Sequence, residues 1–123
     1  DTPQGRYLKF KEARMNLAQG LRTLAVNKQT ALKHLEEAST IYSELANGPG
    51  RVPLMHQEAL WGAAKAAETL GRIDEAEKLY KTLQKDYSKS ALGIDAKKQL
   101  ARLESKKSEA GDLAKEFGIS EER

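Results

Sequence analysis

The chain has 123 residues, 39% of them hydrophobic and 32% charged, with 21 basic against 18 acidic side chains for a net charge of +3. That length supports one domain with a modest core, and the balanced, interspersed charge lacks the concentrated basic stripe of a nucleic-acid binder. Cysteine is absent, which removes disulfides and thiolate chemistry, and no apolar run approaches the roughly 20 residues that span a bilayer.

In chain order, Thr2 and Pro3 form an N-cap and first-turn pair. A first helix follows, with Phe10, Ala13, Leu17, Leu21 and Leu24 on one stripe expected to face a neighbour. Asn27 caps a second helix striped by Leu32, Leu35, Ala38, Ile41, Tyr42 and Leu45. Asn47-Gly48-Pro49-Gly50 ends it, with Gly48 expected in a left-handed cap and Pro49 unable to continue the helix. Pro53 opens a third helix that runs to Gly71, and its centre, Gly62 to Ala67, is unusually small. Small side chains there predict close helix axes, the space being filled by long residues of the next helix.

Asp74 is the expected N-cap of a fourth helix, with Glu75 and Glu77 near its positive end. Tyr87 to Ser90 makes a turn, and a fifth helix spans roughly Ala91 to Lys106 with Ala96, Leu100 and Leu103 inward. A polar break over Ser105 to Gly111 then precedes a short capping helix, Asp112 to Gly118, expected to lay Leu113 and Phe117 over the last exposed core. The fold class is all-α, since no continuous β-branched run suggests a sheet.

Two phrases alternate along these helices. Glu37-Ala38-x-x-Ile41-Tyr42-x-x-Leu45 recurs as Glu75-Ala76-x-x-Leu79-Tyr80-x-x-Leu83, 38 residues on. Glu12-Ala13 with Leu17-Ala18 recurs as Glu58-Ala59 with Ala63-Ala64 and as Asp95-Ala96 with Leu100-Ala101. Alternating repeats at such a period describe an array of helix pairs, in which stacking hides apolar stripes that one pair leaves open.

The stretch Leu60 to Ser88 resembles a tetratricopeptide repeat (TPR). In that family's pattern a bulky residue, a small residue four later and a helix-ending glycine are followed by a small residue and an aromatic four apart. Here those roles fall to Leu60, Ala64, Gly71, Ala76 and Tyr80. Ala67 stands where the family has an aromatic, and Leu83 where it has a second small residue, an exchange that roughly conserves volume. The first repeat carries 8 additional residues between Ala25 and Glu37, since its first helix lies 46 positions upstream and its second only 38. Two further helical turns or a longer loop would hold them.

The resemblance implies a TPR-like α-hairpin array within residues 1–118: repeat one over 4–47, repeat two over 53–87, capping helices over 90–118, and a tail over 119–123. The Asp86-Tyr87-x-x-Ser90 ending and the Ala-rich helix also resemble TPR proteins of the bacterial envelope, and the layout is similar to that of periplasmic domains of ancillary Sec-translocon subunits. A periplasmic or envelope location is therefore favoured over the cytoplasm. The chain begins at Asp1 rather than at a methionine, which suits a processed form or a trimmed segment with a signal or anchor upstream.

Reactive constellations are missing from the residues. His34 and His56 lack the helical spacing and third ligand that a metal site needs. Serine-hydrolase, Walker and dinucleotide signatures are absent, and Gly48-Pro49-Gly50 is a turn that cradles no phosphate. The basic stretch Lys97, Lys98, Arg102, Lys106 and Lys107 is diluted by Asp95, Glu104 and Glu109, as on a solvated helix face. No catalysis, cofactor or metal is expected.

Tyr42 and Tyr80 repeat at a packing position and read as core. Trp61 is different, because Leu60 and Ala64 take the inward positions and leave it on the side that lines the concave groove in TPR proteins. The corresponding groove positions are Met15, Gln19 and Arg22, then Trp61, Lys65 and Glu68, then Lys98 and Arg102. An anchoring tryptophan near a methionine and an arginine has the composition of a binding hot spot. Packing of Trp61 against helix one, or beneath the tail residues Leu113 and Phe117, is the bland alternative. The functional expectation is a non-catalytic module that binds a protein or peptide, with Lys65, Lys98 and Arg102 selecting acidic groups. A self-associating envelope scaffold is the second expectation, because two and a half repeats leave one end of the array open.

Overall fold

The computed structural model describes residues 2–49 and 52–116. Among these, five helices and no strand are present: α1 (Pro3–Thr23), α2 (Lys28–Asn47), α3 (Pro53–Thr69), α4 (Ile73–Asp86) and α5 (Ala91–Glu116). Local chemistry sets most of the boundaries. Thr2 Oγ1 accepts the Gly5 amide at 3.0 Å, and Asn27 Oδ1 accepts the Thr30 amide at 3.1 Å, so both expected caps satisfy amides that the first turns leave open. Pro53 occupies the first turn of α3, where a missing N–H costs nothing.

The end of α3 is a Schellman cap. The Arg72 amide bonds to the Ala67 carbonyl and the Gly71 amide to the Glu68 carbonyl, while Gly71 sits at φ 84°. Ser90 Oγ accepts the Gly93 amide at 3.0 Å and starts α5.

Several boundaries depart from the sequence expectation. Gly48 has φ −80° and ψ 173°, so α2 leaves through extended backbone and not through a left-handed cap. Arg72 precedes α4, which starts at Ile73 and places Asp74 and Glu75 in its first turn, where they still favour the helix dipole. The predicted break after Lys106 does not form. Residues 105–111 contain no proline and are mostly good helix formers, so α5 continues through them to Glu116. No separate capping helix exists among the described residues; Leu113 is 53% exposed on α5, and Phe117 and Gly118 lie outside those residues.

Of the 8 additional residues of the first repeat, seven extend the start of α2, because Lys28 precedes Ala38 by 10 positions whereas Ile73 precedes Ala76 by 3, and one lies in the connection, which is 24–27 here against 70–72 in the second repeat.

Every helix packs on its chain neighbours. In addition α1 meets α3 and α3 meets α5, whereas α2 and α4 do not meet each other among the described residues. The odd-numbered helices thus form one row, with α2 and α4 laid behind it. One core runs through the molecule from Phe10 and Ala13 through Tyr42, Leu60 and Tyr80 to Ala96 and Leu103.

The small residues at the centre of α3 are buried, with Ala63, Ala64, Ala66 and Ala67 fully inaccessible. Its filling comes from behind as well as ahead. A Cβ on Gly62 would lie 2.5 Å from the ring of Tyr42, on the preceding helix and not the following one. Likewise a Cβ on Gly20 would lie 2.6 Å from Leu35, so α1 and α2 cross closely at Gly20, whereas Leu21 and Leu24 stay 47% and 37% exposed despite their place on the predicted stripe. Glycine lets the backbones approach where leucine would hold them apart. Among the described residues no helix is long and apolar enough to cross a membrane.

Candidate functional site

α3 is the middle helix of the odd row, enclosed by α1, α2, α4 and α5. The central part of α3 reaches solvent along one stripe at helical spacing: Glu58, Trp61, Lys65 and Glu68. The residues between these four are buried, while Pro53 and Leu54 are exposed and Met55, His56 and Thr69 half-buried toward the helix ends.

The stripe is internally braced. The Trp61 ring meets Tyr80 edge-on, centroids 5.5 Å apart at 67°, and Lys65 Nζ lies 5.7 Å above the Trp61 ring. Such an edge-to-face pair contributes about 0.5–1.5 kcal/mol beyond area burial, and it holds the indole in one orientation. Tyr80 is fully buried, yet its hydroxyl donates to Glu68 at 3.0 Å. Glu68 also takes a guanidinium N–H of Arg102 from α5, and Arg102 in turn bonds Gln99 Oε1 at 2.9 Å through Nε. Trp61, Tyr80, Glu68 and Arg102 therefore tie three helices into one polar–aromatic cluster.

Burial raises the Glu68 carboxyl, but hydrogen bonds from Arg102 and Tyr80 and the charges of Arg102 and Lys65 outweigh it, so its pKa falls below the ordinary value. Tyr80 is shifted upward by burial and by the neighbouring Glu68 charge. Glu68 is accordingly ionised and Tyr80 neutral at physiological pH, and neither is poised for proton transfer.

Among the expected groove residues, Trp61, Lys65, Glu68 and Arg102 come together. Met15, Gln19 and Arg22 sit on α1; Met15 is 61% exposed, Arg22 is exposed and Gln19 half-buried, and no side-chain bond joins them to the Trp61 cluster among the described residues. Lys98 is exposed on α5 without an ion-pair partner among the described residues. Arg102 is not the waiting cation that its sequence position implies, because Glu68 and Gln99 already take its Nε and Nη2 donors.

Trp61 packs on α4 through Tyr80 and joins the core cluster that also holds Phe10 and Ala13 of α1; the expected tail contact through Phe117 lies outside the described residues. A second bridge between odd helices went unread in the sequence: Arg14 reaches Glu58 with two bonds, 2.5 Å from Nε and 2.6 Å from Nη2. Pairs 44 and 34 residues apart carry no local signal of contact.

Both histidines are hydrogen-bonded within the fold. His34 Nδ1 lies 2.9 Å from Asn16 Oδ1, and His56 Nδ1 lies 2.7 Å from the Tyr87 hydroxyl. No group of three or more metal-ligating side chains occurs among the described residues. In comparisons with protein-family models, curated proteins and solved structures, nothing matches this chain.

Proposed function

We propose that this chain is a non-catalytic binding module of the TPR type, taking a peptide or protein partner on the face formed by α1, α3 and α5. The observation that carries the reading is the placement of the single tryptophan. It stands on an accessible stripe of the central helix, half-buried, with its ring braced by Tyr80 and Lys65. A rigid, partly exposed aromatic loses little conformational freedom on binding, which is what an anchor residue requires.

The zigzag packing of odd and even helices, the Gly71 cap and the buried Ala64 and Ala76 support the TPR reading. A place in the bacterial envelope belongs to the same proposal and rests on the Asp86-Tyr87-x-x-Ser90 resemblance. In this reading Lys65 and Lys98 offer positive charge to the partner, while Arg102 and Glu68 act as a brace.

Titration with candidate partners, followed by intrinsic fluorescence, reads out Trp61 alone, because the chain has one tryptophan. Trp61→Ala is expected to weaken binding at least about tenfold while keeping helicity, as expected for a hot spot of about 1.4 kcal/mol or more. Unchanged affinity of that variant, measured by calorimetry, removes the anchor from the proposal. Sedimentation over a concentration range tests the self-associating scaffold on the same preparation.

A further inference from the structure

The row of helices ends at α5, and its last surface is built differently from the rest. Register along the Glu58-Ala59 and Asp95-Ala96 phrases pairs Leu60 with Lys97, Ala63 with Leu100 and Ala67 with Glu104. On α3 the first member of each pair is buried; on α5 Lys97 and Glu104 are exposed and Leu100 is half-buried. The surface that a following helix covers on α3 is thus uncovered on α5.

Two hollows of about 590 Å³ and about 300 Å³ lie there between α4 and α5, joined through Lys81, Gln84 and Lys97. Their floor keeps apolar area: Leu100 is half-buried and Ile94 is 48% exposed.

The charge of this trough is one-sided. Lys81, Lys85 and Lys97 line the larger hollow, and none has a carboxylate within ion-pair distance among the described residues. The carboxylates, Glu77 and Glu104, line only the smaller one, and Glu77 is already held by Lys107 Nζ at 2.6 Å.

We infer that the α4/α5 trough is a second docking surface, which takes an acidic amphipathic helix of a partner protein. Leucine-like side chains of that helix cover Ile94 and Leu100, and its carboxylates face Lys81, Lys85 and Lys97. A helix seated there would continue the helix-on-helix packing found at every earlier junction. This inference does not depend on the Trp61 face.

The probe is a labelled synthetic helix of about 18 residues, long enough to hold helical structure, with a leucine stripe flanked by glutamates at four-residue spacing. Its binding to the intact chain is followed by anisotropy. Saturable one-to-one binding is expected, weakening at least about tenfold when the glutamates are changed to glutamines or when the protein carries Lys81→Glu with Lys97→Glu, and weakening with added salt. Both lysines are exposed, so circular dichroism of the double variant is expected to match the parent. Trp61→Ala is expected to leave this binding unchanged, which separates it from the proposal for the α3 face.

Absence of saturable binding would make the trough a solvated terminal cap and overturn the inference. Equal binding of the glutamine peptide, or full competition by a simple polyanion such as heparin, would overturn it too. So would dimerisation of the parent protein that the double lysine variant abolishes, since the occupant would then be a second copy.

Discussion

Gly62→Ala sets two opposing effects against each other, and the structure decides between them. In a free helix the substitution stabilises by about 0.8–1.0 kcal/mol, because glycine loses more backbone freedom than alanine. Here the new methyl carbon would sit 2.5 to 2.6 Å from three ring carbons of Tyr42, inside van der Waals contact. The ring is 2% exposed and packed in the same core as Phe10, Leu60 and Ala63, so it has little room to swing away. Overpacking of this kind costs about 1–3 kcal/mol. The net expectation is destabilisation of about 1 kcal/mol, or a few degrees in Tm for a chain of this size.

Urea unfolding of Gly62→Ala, Tyr42→Leu and the double variant tests this as a cycle. Once the ring is gone, alanine at position 62 is expected to recover its helix advantage, giving a coupling of at least about 1 kcal/mol between the sites. If Gly62→Ala alone is more stable than the parent, or if the two changes simply add, the close crossing of α2 and α3 at this point is wrong.

Two pH dependences follow from the site and the core. Glu68 has a lowered pKa when folded, so its contribution is complete above the ordinary glutamate range and is lost as pH falls through that range and below. Glu68→Gln is therefore expected to cost about 1–2 kcal/mol at neutral pH, with the gap to the parent closing below about pH 4, as read from urea midpoints. A gap that persists unchanged at acid pH would mean that shape and not charge holds the Arg102 brace. Burial raises Tyr42 to about 12, with a smaller upward push from Glu58, against an unfolded value of 10. A raised value means stability is complete below pH 10 and drains away between pH 10 and 12; Tyr42→Phe is expected to regain on the order of 2 kcal/mol relative to the parent across that window. Parallel pH profiles for parent and variant would refute the burial assigned to that hydroxyl.

The groove positions were legible only as a list. Helical spacing placed Trp61, Lys65 and Glu68 on one stripe of α3, and they do share it. The same list treated Arg102 as a cation free for a ligand, because a sequence shows the residue and not the carboxylate that turns toward it from another helix. Tyr80 shows the same limit from the other side. Its recurrence with Tyr42 correctly read as core, yet its hydroxyl and ring edge are what orient Glu68 and Trp61.

Signals confined to one or two turns decided the helix starts at Thr2, Asn27 and Pro53 and the stop at Gly71, because caps depend on amides and carbonyls only a few residues away. Repetition of the alanine phrases likewise carried the burial of Ala13, Ala59 and Ala96, whereas at the second alanine of the phrase Ala64 is buried, Ala18 half-buried and Ala101 exposed. Tertiary packing decided what short range could not. Whether α5 breaks or continues, whether Leu21 and Leu24 are covered, which tyrosine fills the space over Gly62, and which arginine neutralises Glu58 or Glu68 all depend on where a distant helix lies. Packing free energy is set by those long-range neighbours, and helical periodicity names the face that seeks a neighbour without naming the neighbour.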